Sequence, residues 1–376
     1  MLTLGLIGKP NVGKSTFFKA ATLKDVEIAD YPFTTIKPNV GIAHVRVKCP
    51  HVEIGRECRP RRGKCVQGVR FVPVELYDVA GLVKGAHRGR GLGNQFLDDA
   101  RRARVLVMVV DASGQTDAEG NPGEGNPVED VEVVEEEFDR WLAGIVEKIL
   151  QKGGDVEELV RGLSGLEIGR EEIERAMEKS FPSRENALDF ARTLRKIAKP
   201  MIIAANKADR PTADHWIREL KKLPYPVIPT SAELELMLRK AAEAGYIRYI
   251  PGAGEFEVLK EMSEKQEEAL EFARRFLRKY GSTGVQEVLD RAVFEIARFI
   301  PVFPVEDEHR WTDSSGNVLP DCFLVPEGTT ARDLAYMVHT DLGEKFIRAV
   351  DGRTKKILGA DYRLKAGDVI KIFSGR

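Results

Sequence analysis

At 376 residues, with 43% hydrophobic and 31% charged side chains, the chain is long enough for two or three compact units and far from a disordered or collagen-like composition. Lys plus Arg total 58 against 59 for Asp plus Glu, a net charge of −1, so any RNA contact must come from a local patch, and DNA is not an expected partner. No apolar run reaches the ~18–20 residues of a membrane span. MLTLGLIGKP lacks a basic leader, and four cysteines make no disulfide scaffold, so the reading is cytoplasmic with no membrane partner.

Residues 2–7 are a short apolar run before a glycine-rich turn, as for a strand. Similar runs at 71–77, 105–110, 201–205 and 227–228 alternate with helical patterns, which predicts a mainly parallel α/β sheet with ligands at the carboxyl ends of its strands. Residues 114–127, GQTDAEGNPGEGNP, read as a flexible loop outside the core. Val131, Val134, Phe138, Leu142, Ile145 and Ile149 then recur at helical steps, opening an insertion expected over 128–198. A helical extension follows over 233–300, with Ser263 and Gln266 as a capping box and Gly281 as a stop. From 301 to 376 short β-type runs and a helix opening at Thr330 predict a small α+β domain. The G-domain chemistry is expected within 1–232.

Gly8-Lys9-Pro10-Asn11-Val12-Gly13-Lys14-Ser15 fits GxxxxGK[ST] between a strand and a helix that begins with Ser15 and Thr16. Backbone amides there wrap phosphate oxygens, Lys14 reaches the β and γ phosphates, and Ser15 ligates Mg²⁺. Asp78-Val79-Ala80-Gly81 ends another strand; alone it is an ordinary turn, but behind a phosphate loop Asp78 is placed to hold a Mg²⁺-bound water and Gly81 to contact the γ phosphate. Asn206-Lys207-Ala208-Asp209 fits NKxD. The Asp209 carboxylate accepts the N1 and N2 hydrogens of guanine, which adenine cannot offer, so the motif points to GTP. Ser231 and Ala232 follow the next strand and can supply backbone donors to guanine O6.

The ordered set GKPNVGKS, TT, DVAG, NKAD and SA is the motif series of translation-factor-type GTPases. The strings DYPFTTIKPNVG and DVAGLVKGAHRGRGLGNQFLDDAR closely resemble the Obg family, in its Obg-like YchF branch of archaeal type. FLVPEGTTARDLA through LKAGDVIKIFSG resembles a TGS domain, a ubiquitin-like β-grasp module. The resemblance implies a P-loop GTPase of low intrinsic rate, hydrolysing GTP to GDP and phosphate as a switch in translation, with ribosome or RNA as partner. It implies Lys14, Thr35 and Gly81 as catalytic residues, Thr35 (with Thr34 beside it) as a Mg²⁺ ligand, and Asn11 as a possible K⁺ ligand. Leu82 stands where related enzymes place a water-orienting glutamine, and it cannot do that work. YchF proteins commonly lack the guanine-reading aspartate and prefer ATP, so an ATPase is the alternative, as is an RNA-binding module with structural nucleotide. Glu233 departs from the frequent SAK form.

Cys49, His51, Cys58 and Cys65 lie among Arg56, Arg59, Arg61, Arg62 and Lys64, a basic loop suited to phosphate contact or to solvent. Thiolate and imidazole suit zinc, but Cys49 and Cys58 are too far apart in sequence for a paired knuckle, so plain thiols are expected, with zinc and a disulfide as alternatives.

Overall fold

The structure, a computed structural model, describes residues 1–22, 40–79 and 102–375. Strands β1 (Thr3–Ile7), β5 (Val105–Asp111) and β6 (Met201–Asn206) are buried along their whole length. Apolar runs without alternation suit strands covered on both faces. With β2 (Val40–Lys48), β3 (Lys64–Val66), β4 (Val69–Asp78) and β7 (Val227–Pro229) they form a seven-stranded sheet, ordered β2-β4-β1-β5-β6-β7, with β3 on β4. The β1/β4, β1/β5, β5/β6 and β6/β7 pairs are parallel, whereas β3 runs antiparallel to β4. The carboxyl ends of the parallel strands therefore share one edge, where Asp78, Asp111 and Asn206 stand.

Contacts divide the described residues into two compact units, one of 1–22, 40–43, 75–79 and 102–292, the other of 44–74 and 293–375. In the first, α1 (Lys14–Thr22) follows β1. The insertion between β5 and β6 holds the long helix Pro127–Gln151 and three shorter ones, Val156–Leu163, Arg170–Met177 and Ala187–Ala198. The side chain of Asn126 caps the long helix through Val128 N and Glu129 N, with Pro127 at its first turn. Its expected stripe faces inward: Val131, Val134 and Phe138 join the sheet's core, and Leu142 joins a core of the insertion's own with Leu159, Ile173 and Phe190. The helices Ala213–Leu220, Ala232–Glu243, Glu264–Tyr280 and Val285–Arg291 and a short pair, Ile247–Arg248 with Glu257–Val258, complete this unit. Ser263 N donates to Gln266 at 3.0 Å, and Gly281 ends that helix at φ 80°, as read from the sequence.

In the second unit five strands, Phe299–Val305, Phe323–Pro326, Phe346–Asp351, Ile357–Leu358 and Val369–Ser374, form a mixed sheet packed on the helix Ala331–Val338. The core includes Val302, Val325, Leu334, Ala349 and Ile370. Thr330 and Asp333 cap the helix reciprocally. The segment 44–74 belongs to the same unit. Arg59 N and Arg61 N each donate at 2.9 Å, to Val318 O and Pro320 O, and Arg353 grips Glu53 through two nitrogens at 2.7 and 2.8 Å.

Candidate nucleotide site

The turn after β1 fits only glycine at two points. Gly8 has φ 149°, and a Cβ there would lie 2.4 Å from Val109 O. Gly13 has φ 92°, and its Cβ would meet Asn206 Nδ2 at 2.3 Å. The loop of Gly8, Lys9, Pro10, Asn11, Val12 and Gly13 leads into Lys14, Ser15 and Thr16 at the start of α1, whose amides and dipole favour an anion. Lys14 Nζ donates to Asp78 Oδ1 at 2.8 Å, and Ser15 Oγ to Asp78 Oδ2 at 3.1 Å. Hydroxyl and carboxylate are hard oxygen donors side by side, a set that fits Mg²⁺.

Two side chains of the loop turn elsewhere. The buried Lys9 ammonium donates at 2.8 Å to Thr116 O and Asp117 O, and pairs with Asp130 at 2.7 Å. Lys9 can therefore meet a nucleotide through its backbone alone. Burial raises the pKa of Asp130 from its ordinary value in spite of this lysine. Asn11, at φ 61°, donates from Nδ2 to Gly120 O at 2.8 Å, leaving its oxygen as the end that would serve a cation.

Residues 114–127, expected to be flexible, instead form a closed, hydrogen-bonded loop. Gly125 N donates to Gly114 O and Asp117 N to Asn121 O, both at 2.9 Å, and the Lys9 and Asn11 bonds fasten the loop to the phosphate turn. Glycine and proline content signalled a departure from helix and strand, but said nothing of these partners. Asp111 anchors the base of the loop. It accepts from Ser113 N at 2.9 Å, Ser113 Oγ at 2.6 Å, Lys207 Nζ at 2.7 Å and Thr116 Oγ1. Burial opposes its charge, yet these donors, Lys207 foremost, prevail and hold its pKa below the ordinary carboxylate value.

At the other end, Asn206 joins three motifs. Its Nδ2 donates to Val12 O at 2.9 Å, and its Oδ1 accepts from Ala232 N at 3.0 Å. Lys207 and Asp209 follow it into a cleft of about 290 Å³ lined also by Gly13, Thr16, Ser113, Gln115, Arg210 and Glu233. Asp209 faces Arg210 Nε at 3.6 Å. Ser231 N donates to Thr283 O at 2.9 Å, so it and Ala232 N, the expected donors to guanine O6, are both engaged within the protein. A base would have to share the Ala232 N–H or turn to Glu233, the next residue in the cleft.

Residues 3–147 match the family described as 50S ribosome-binding GTPase, 204–307 the G4 motif-containing domain of Obg-like GTPases of the YGR210-like type, and 315–374 the TGS domain. An uncharacterized GTP-binding protein of Methanocaldococcus jannaschii is 51% identical over 392 residues, covering 100% of this chain and 99% of its own. The chain belongs to the Obg-like, YchF-type family of P-loop GTPases. The crystal structure of a GTP binding protein from Pyrococcus horikoshii OT3 covers both chains fully at 40% identity and a TM-score of 0.78. The ribosome-binding ATPase YchF of Bacillus subtilis is 29% identical over 93% of this chain and 87% of its own. The YchF GTPase of Schizosaccharomyces pombe, 21% identical with a TM-score of 0.59, shares the fold.

The family's switch positions Thr34, Thr35, Gly81 and Leu82 lie outside the described residues, as do Lys84, His87, Arg88 and Arg90. Ser113 and Gln115 in the cleft, Asp111 at the base of the loop and Asp130 against Lys9 are residues the sequence reading passed over. Asp111 had a usable signal, an acid at the carboxyl end of an apolar strand. Ser113 and Gln115 had none, since they reach the cleft through the loop's fold, and Asp130 had none, since it meets Lys9 from the helix that follows. Among the described residues no helix is long and apolar enough to cross a membrane.

Proposed function

We propose that this YchF-type protein binds GTP with Mg²⁺ and hydrolyses it to GDP and phosphate. The observation that carries the reading is the bridging of Val12 O and Ala232 N by Asn206, which sets the phosphate loop, the NKAD motif and the start of the helix Ala232–Glu243 around one cleft. The amides of Gly8–Ser15 would hold the phosphates, and Lys14, already aligned by Asp78, would take charge from the terminal one. Ser15, Asp78 through water, and Thr35 would hold Mg²⁺, which supplies charge neutralisation at the β and γ phosphates when bound. Thr35 and Gly81 would complete the catalytic set as γ-phosphate sensors. Leu82 would leave water positioning to another group, and Asn11, whose Nδ2 donates to Gly120 O, would offer its oxygen to K⁺. Faster turnover in potassium than in sodium at matched ionic strength, with the difference lost in Asn11→Ala, is expected; equal rates would remove the cation.

Base choice rests on Asp209. In Asp209→Asn, GTP affinity should fall by about 1–3 kcal/mol, roughly 5–150-fold, with a gain for xanthosine nucleotides, because donor and acceptor exchange places. Unchanged GTP affinity in a fluorescent-nucleotide titration would overturn the guanine assignment. A second reading, ATP preference, is favoured by Arg210, which competes for the Asp209 carboxylate at 3.6 Å. Competition of ATP against GTP separates the two. As the ribosome-binding name of the Bacillus relative and the TGS segment indicate, the partner we propose is the ribosome or its RNA in the cytoplasm. Co-sedimentation with ribosomal subunits in GTP, GDP and nucleotide-free states tests it, and no association in any state would sink it.

A further inference from the structure

Four ligand atoms of the second unit, from Cys49, His51, Cys58 and Cys65, all lie within 4.8 Å of one another. Cys49 Sγ and Cys58 Sγ are 3.8 Å apart, and Cys65 Sγ is 3.6 Å from His51 Nδ1. These are not bonded sulfurs; all three cysteines are free thiols. The edges of a tetrahedron around zinc, with Zn–S ~2.3 Å and Zn–N ~2.0–2.1 Å, are ~3.8 Å between sulfurs and ~3.5 Å between sulfur and nitrogen. The observed separations match both. From this geometry we propose that Cys49, His51 through Nδ1, Cys58 and Cys65 form a structural zinc site.

The sequence argument against a paired site fails because the backbone folds back. Pro50 and the one-turn helix His51–Ile54 reverse the chain after Cys49, and left-handed glycines at Gly55 (φ 61°) and Gly63 (φ 71°) bend the return toward β3, which carries Cys65. Nine residues of sequence separation thus close to a sulfur–sulfur contact.

Charge supplies an independent argument. Three thiolates and a neutral imidazole around Zn²⁺ carry a net −1, which costs free energy in a partly buried place unless a cation stands near. Arg70 is 1% exposed, sits directly opposite Cys65 in the β3/β4 ladder and donates from Nη2 to Pro320 O at 3.0 Å. Its Nε and Nη1 are buried with no hydrogen-bond partner among the described residues. Among the described residues this guanidinium has no carboxylate partner, and an anionic zinc–thiolate centre is the counter-charge its position suits. Cysteines within reach of one ion, closed by four protein ligands, are the pattern of a structural rather than a catalytic zinc. The site is independent of the nucleotide reading above.

Metal content of the full-length protein, purified without chelator and dialysed, tests the proposal: one zinc per chain is expected. Cobalt chloride added to the metal-free protein should give the intense visible bands of tetrahedral cobalt together with thiolate-to-cobalt charge transfer. Cys58→Ser and Cys65→Ser should lose the equivalent of zinc, while Cys322→Ser, outside the four, should keep it. Zinc well below one per chain, with all thiols open to a thiol reagent in the native protein, or a weak octahedral cobalt spectrum, would overturn the site. So would zinc retained in full by Cys58→Ser and Cys65→Ser. If a serine variant fails to fold, judged by circular dichroism, the zinc count and cobalt spectrum of the unaltered chain decide alone.

Discussion

The two units differ in how each of the proposed sites would hold a small charged group. In the first, the phosphate turn is eight consecutive residues, and its chemistry is mostly backbone, shaped by Gly8 and Gly13 where no side chain fits. In the second, the cysteine and histidine atoms come from four positions spread over 49–65, and the site exists only because the chain reverses between them. A site made of contiguous backbone leaves a motif; a site made of returning side chains leaves only composition.

The largest expected effect cuts the comparison apart. A chain ending at residue 300 keeps every nucleotide motif but removes Val318, Pro320, Asp313 and Asp321, the partners of the segment 44–74. Hydrogen exchange should show 44–74 losing its protection while GTP affinity persists; protection retained would mean that the segment folds without the C-terminal sheet. Next comes Gly13→Val. Positive φ and overpacking against Asn206 each cost about 1–3 kcal/mol, so a combined loss of about 2–6 kcal/mol in the phosphate turn is expected. Calorimetry and nucleotide titration read it, and zinc content should not move.

Asp111→Asn probes the loop anchor and should cost about 1–3 kcal/mol, because the Lys207 pair is lost and buried donors keep a weaker acceptor. The native carboxyl has a depressed pKa, so its contribution is present above the ordinary value near ~3.9 and is lost as pH falls through the lower folded value. Acid unfolding of the variant below about pH 4 should therefore be shallower than that of the parent. The smallest effect is Arg61→Ala. Its pairs with Asp313 at 2.6 Å and Asp321 at 2.7 Å involve a side chain 53% exposed, so the loss should stay below about 1 kcal/mol and shrink further in salt.

This contrast also explains what was legible beforehand. The mainly parallel sheet could be read because β1, β5 and β6 are uninterrupted apolar runs, and the capping residues at Ser263 and Thr330 because local hydrogen bonds have fixed spacing. Lys9 was legible as part of a phosphate loop, but not as the partner of Asp130, 121 residues away. Likewise nothing local to 44–74 announced that its arginines would meet 310–321. Such partners are chosen by the tertiary fold, and a single sequence carries no spacing rule for them.

Asn206 has a consequence for fragments of the nucleotide. Because one amide group ties Val12 to Ala232, neither end of the cleft can loosen without stretching a bond to the other. Ordering either end thus spends conformational entropy on behalf of both, and a ligand that fills one end leaves less disorder for a second ligand to remove. Pyrophosphate and guanosine, added together, should bind each more tightly than alone, and the gain should vanish in Asn206→Ala, where the two halves become separate sites on one chain.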